Sequence, residues 1–209
     1  MRKTLILMAL ALSGWQVHAL PDAQFQPAFE KFMAASGGDK AAVAPAAEAF
    51  AALRPLEPTN PVLLAYSGAA TAMLAGTTML PWKKMSYAED GLAQLDKALA
   101  LLGPAHEAPV QNHTPGVLEV KFVAANTFLA VPGFMNRADR GGRLLNEVLR
   151  SPLLAQAPLT FRGNVWLKGA EVARQAGRMD EARRWLNQLI EAHAPQAEAA
   201  QAQLKALAS

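Results

Sequence analysis

The chain contains no cysteine, which excludes disulfides, thiolate metal ligands and a lipid-bearing cysteine behind a leader. Aromatic residues make up only 7% of its 209 residues and charged residues 18%. No stretch alternates apolar and polar residues over a strand's length, so the signature of a half-buried sheet is missing. No run of Lys and Arg offers a track for nucleic acid. There is no nucleophile elbow, P-loop, dinucleotide fingerprint or His-Glu-x-x-His helix. The sequence therefore names no catalytic residue, no cofactor and no metal site. His106, His113 and His193 stand apart from one another, and the acids Asp22, Glu89, Asp90, Asp139 and Glu171 are scattered along the chain. Such acids read as solvated or helix-capping rather than paired for acid–base work.

What is present begins with a leader. Arg2 and Lys3 precede a short apolar run, and Val17 and Ala19 place small residues where a signal peptidase reads them. Residues 1–19 are thus expected to be a secretory signal peptide cleaved after Ala19, with a periplasmic or secreted protein as the product. The apolar run is short for a bilayer span, so an uncleaved anchor is the lesser alternative. Removing Arg2 and Lys3 from the 20 basic residues leaves the remainder one ahead of the 17 acidic ones, near neutrality.

The remaining chain is rich in Ala and Leu and poor in β-branched runs, and punctuation divides it into helices. Glycines at 37 and 38, with Asp39 as a cap, break a first pair of helices over 22–54. Asn60 before Pro61 marks a helix start. A second pair is expected at 62–76 and 86–102, separated by an enlarged linker over 77–84. Residues 105–115 read as a surface loop, ending in Thr114 as a cap with Pro115 at the first helical position. A third pair is expected at 115–130 and 136–150, a fourth at 160–176 and 179–193, and a last helix at 195–208.

One pattern recurs through these pairs. A small residue (Gly91, Gly141, Ala182) stands four places before a leucine (Leu95, Leu145, Leu186), and Ala98, Val148 or Leu189 follows three places later. Self-similarity at this spacing signals stacked helical hairpins. Gly141 and Gly142 are both expected to allow a close helix contact.

Trp166, Gly169, Ala170, Ala173, Gly177, Ala182, Leu186, Leu189 and Pro195 resemble the spacing of a tetratricopeptide repeat. The second pair matches through Gly68, Gly91, Leu95, Ala98 and Pro104, and the first through Ala46, Phe50 and Pro58, with the third more degenerate. The run from Leu80 to Tyr87 also resembles exported bacterial members of that superfamily. The resemblance covers residues 20–209 as one domain. It implies an all-α, right-handed superhelix of about four hairpins with a C-terminal capping helix. It implies a concave face that holds a protein or peptide, and no catalytic residue.

In such a stack the turns within the hairpins share one edge. Two enlarged neighbouring turns make that edge the candidate binding surface. One carries Trp82, Lys83, Lys84 and Tyr87; the other carries Phe134, Asn136 and Arg137. Aromatic anchors beside cations and amides suit a partner surface. The competing expectation is that Trp82 and Phe134 fold inward over the hairpin ends. A local ion-pair network is expected among Arg137, Asp139 and Arg140. The expected function is a non-catalytic scaffold or adaptor for a protein or peptide partner in the bacterial envelope. The alternatives are an accessory subunit of an envelope transport system and a small-ligand carrier. No nucleic acid is expected, and the membrane only through a partner or an uncleaved leader.

Overall fold

Local side-chain caps set two of the helix starts in the computed structural model, which describes residues 20–207. The expected leader, residues 1–19, lies outside the described residues. Nine α-helices follow in order: α1 Asp22–Ser36, α2 Lys40–Leu53, α3 Pro61–Met73, α4 Pro81–Ala100, α5 Gly116–Ala130, α6 Ala138–Arg150, α7 Leu159–Gln175, α8 Met179–Glu191 and α9 Ala197–Ala206. Among the described residues there is no β-strand, so the molecule is all-helical. No helix of the described residues is long and apolar enough to cross a membrane.

Asp39 caps α2 by accepting the Ala41 N–H at 2.9 Å. Asn60 caps α3 by accepting from Val62 and Leu63 at 2.9 and 3.2 Å, with Pro61 in the first turn where its missing N–H costs nothing. Gly38 and Gly177 end their helices at φ of 104° and 73°, a conformation that side chains disfavour.

Three boundaries depart from the sequence expectation. The linker after α3 is shorter, because α4 begins at Pro81 and takes residues 82–87 into its first two turns. Packing of a 20-residue helix overrides a start that lacks both a side-chain cap and a first-turn acid. Pro115 is the residue flanking α5 rather than its first helical one, and Thr114 is buried, its hydroxyl donating to the Asn112 carbonyl at 3.2 Å. The segment 105–115 is not simply a surface loop, since Gln111 and Thr114 are fully buried within it.

Consecutive helices pack on each other, α1 on α2, α3 on α4, α5 on α6 and α7 on α8, while α9 lies on α8. Helix α3 also meets α2 and α5, and every residue from Pro61 to Ala70 is buried. Few aromatics are available, and they are concentrated: Phe25, Phe29, Phe32, Phe50 and Tyr66 interlock, Phe50 stacking on Tyr66 at 5.2 Å. Large rings in offset and edge-on contact bury much area per residue.

The α3–α4 contact is closer than side chains permit. A Cβ on Gly68 would lie 2.7 Å from the Gly91 carbonyl oxygen, and one on Gly91 2.5 Å from that of Gly68. Gly141 similarly faces Leu129 and Ala125 of α5, but Gly142 faces open space and plays no part in packing. One core spans α1 to α6, and a smaller one forms among α7, α8 and α9.

Candidate functional site

Two groupings stand out, one exposed and one buried. The exposed one comprises the residues expected from sequence around Trp82 and around Phe134, each described on its own turn. Trp82 is 67% exposed and Phe134 68%, so neither folds inward over a helix end. Around Trp82 lie the exposed apolar side chains of Met79 (87%), Leu80 and Met85. Lys83 and Lys84 are exposed on the same turns and form no ion pair among the described residues. Tyr87 is half-buried. A cation in the first turn of a helix opposes the helix dipole, so the lysines do not serve α4's stability.

Phe134 sits in a 3₁₀ turn, Gly133–Met135, closed by Asn136 in the left-handed region at φ 54°. The Asn136 amide donates to the Phe134 carbonyl at 3.2 Å, a local bond that suits Asn to this conformation. Among the described residues, Trp82 and Phe134 make no ring contact with each other or with any other ring.

Arg137 is not a free binding cation. Its guanidinium grips Asp96 of α4, Nη2 lying 3.0 Å from Oδ2 and Nη1 3.3 Å from Oδ1. Arg140 bonds the same carboxylate, and both guanidinium groups lie over the Phe128 ring at 5.4 and 5.2 Å. The ion-pair network expected within 137–140 is therefore built around Asp96, which a local reading could not see. Beside it, a depression of about 390 Å³ opens between α4, α5 and α6, floored by Leu99, Leu102, Val117 and Leu144. Its basic rim is already occupied, Arg140 by Asp96 and Lys121 by Glu147 at 2.7 Å.

The buried grouping has no counterpart in the sequence reading. Glu119 on α5 is 1% exposed. Its Oε1 accepts from the Tyr66 hydroxyl of α3 at 2.7 Å and from the Asn112 amide at 2.9 Å. Asn112 in turn accepts from Gln26 of α1 at 2.9 Å. The neighbouring Gln111, wholly buried, donates its amide to the Leu20 carbonyl at 3.0 Å. Asn112 and His113 both hold positive φ, 53° and 54°, which turns the segment back into the core.

This network is only half satisfied. Glu119 Oε2 and Gln111 Oε1 have no hydrogen-bond partner among the described residues. No cationic side chain pairs with Glu119 among the described residues. Burial pushes its carboxyl up from 4.5 to about 7, and the Tyr66 and Asn112 hydrogen bonds only partly offset that. Burial likewise pushes the Tyr66 hydroxyl well above its usual range, with the Glu119 charge adding to it. The signal in the sequence was an acid set between Leu118 and Val120 in an apolar run. Its partners come from segments far away in the chain, so spacing alone could not reveal them.

No family model, curated protein or solved structure matches the chain.

Proposed function

We propose that this chain is an exported helical-repeat adaptor that binds a protein or peptide partner in the bacterial envelope and catalyses nothing. In this reading residues 1–19 are removed on export. The nine helices form about four tetratricopeptide-like hairpins in a right-handed superhelix, with α9 as its cap. The partner is anchored by Trp82 and Phe134 and oriented by Lys83 and Lys84, with Tyr87 and Asn136 shaping the two turns.

The observation that carries the reading is the exposure of Trp82 and Phe134, with Lys83 and Lys84 next to Trp82 forming no ion pair among the described residues. An indole and a phenyl ring left in water give up the area a core would bury, and such rings are the usual energetic anchors of an interface. Arg137 is reassigned to holding α6 on α4 through Asp96.

The test is recovery of the processed protein from the periplasm beside a Trp82→Ala/Phe134→Ala double variant. A partner held in fixed stoichiometry by the first and lost by the second, with unchanged melting, supports the reading. A partner retained equally by both moves the contact away from this edge. Recovery of both proteins alone, at endogenous partner levels and after mild cross-linking, counts against an adaptor.

A further inference from the structure

Leu20, the first described residue, is only 4% exposed and belongs to the main core with Phe25. Chain ends are usually solvated and frayed. If the leader is removed after Ala19, as in the proposed function on which this inference rests, a positively charged α-amino group is created at a buried residue. A buried ammonium needs acceptors, preferably an anion.

The fold already holds such acceptors. The Gln111 amide is fixed in orientation, because the Leu20 carbonyl can only accept and so must face Nε2. Among the described residues that leaves Gln111 Oε1 unpartnered in the same segment as Asn112, whose amide holds Glu119, and Glu119 Oε2 is unpartnered too. The elements packed around this carboxylate supply Tyr66 from α3, Gln26 from α1, and Gln111 and Asn112 from the returning segment. Tyr66 is the one titratable side chain among them. Among the described residues the site holds an ionisable carboxyl and two free acceptors, and no cationic side chain.

We propose that the α-ammonium of processed Leu20 is the missing counter-ion of Glu119, donating to Gln111 Oε1 and to Glu119 Oε2. Before processing, the peptide bond to Ala19 keeps that nitrogen a neutral single donor. Cleavage converts it into a charged group with three donors on a residue already anchored by its carbonyl. Removal of the leader thereby completes the hydrogen bonding of α1, α3, α5 and the returning segment at one point. The leader's loss acts as the last step of folding, not only as release from the membrane.

The test exports the full-length gene and reads the N-terminus of the purified protein by intact mass. A second gene inserts Gly-Ser between Ala19 and Leu20, so that cleavage leaves the ammonium two residues away from the core. Both are combined with Glu119→Gln. At pH 7.5 the insertion is expected to lower Tm by about 5–10 °C beside Glu119 and by less than half as much beside the glutamine. A ¹³C NMR titration of Leu20 is expected to place its amine above the ordinary range of about 7.7–8.0.

Equal Tm losses in both backgrounds, with the amine in its ordinary range, overturn the pairing while leaving the processing intact. An intact mass that retains residues before Leu20 overturns the processing and the pairing together. Should the glutamine variant not fold, the titration of the wild type decides alone.

Discussion

The molecule is built in two manners, and the boundary lies near α6. From α1 to α5 the helices meet through backbone and a buried polar seam: Gly68 against Gly91, and Glu119 reaching Tyr66 and Asn112. From α7 to α9 they meet through side chains. Gly169 has the Leu149 methyls and the Trp185 ring as its nearest neighbours, and the exposed sides carry short-range pairs such as Arg178–Glu181 and Lys168–Glu171. The sequence of the second region carries the clearest of the expected hairpin repeats, yet the first region carries the more exacting backbone contacts. Resemblance to a repeat pattern and intolerance of change are separate properties.

The sharpest way to break this comparison is to add one methyl group in each region. Gly91→Ala puts a Cβ into the Gly68 carbonyl and the Ala72 backbone nitrogen, which no rotamer can relieve. Urea unfolding is expected to show a loss of about 3 kcal/mol. A stability equal to wild type would mean that α3 and α4 can part without cost.

Next in size is the polar seam, read in a form whose N-terminus is extended beyond Leu20. Glu119 binds its proton more tightly folded, at about 7, than unfolded, at 4.5. Between those values the folded state holds a proton that the unfolded chain has released. Its contribution is full below pH 4.5 and is lost as pH rises through 7, about 3 kcal/mol in all. Glu119→Gln should flatten that slope in a stability-versus-pH series. A slope that survives the substitution would assign the effect to another group.

Asp96→Asn tests the junction of the two regions. It leaves Arg137 and Arg140 together over Phe128 without their shared anion. The expected loss is about 1 kcal/mol, shrinking with added salt because the pair is partly solvated. Smallest is Gly169→Ala in α7. Its neighbours are the ends of the Leu149 side chain and the Trp185 ring, 3.1–3.3 Å from the added carbon. Their adjustment is offset by a helix-propensity gain of about 1 kcal/mol, for a net change within about 0.5 kcal/mol. A loss as large as that of Gly91→Ala would erase the distinction between the regions.

What the sequence disclosed and what it hid divide along range. Asp39, Asn60 and Gly177 act on residues next to them, so helix starts and stops at those points were legible. The small-residue pattern of Gly91, Gly141 and Ala182 marked residues that are indeed buried. The start of α4 was misplaced although Pro81 stands in its first turn, because no side-chain cap precedes it and no acid follows; the helix is held by its contacts with α3. Of the candidate binding residues, Trp82 and Phe134 are exposed, whereas Arg137 is engaged by Asp96, 41 residues away. Glu119 stayed invisible because its hydroxyl donor lies 53 residues away on α3. Local chemistry writes itself into neighbouring letters; a contact assembled by tertiary packing does not.

The returning segment also changes how the chain comes apart. In a stack where each hairpin touches only its neighbours, unfolding can peel inward from either end. Here Gln26–Asn112 and Leu20–Gln111 bind across 86 and 91 residues, tying the first helix to the entrance of the fifth. The N-terminal end is therefore clasped, and α1 can be released only if the turn at Asn112 and His113 opens with it. At the start of α9, Gln196 reaches back over shorter spans, 36 and 32 residues, to Thr160 and Asn164. Amide exchange should thus be fastest in α9, with α1 protected alongside α3 and α5 as one cooperative block, so that the molecule unravels in one direction only.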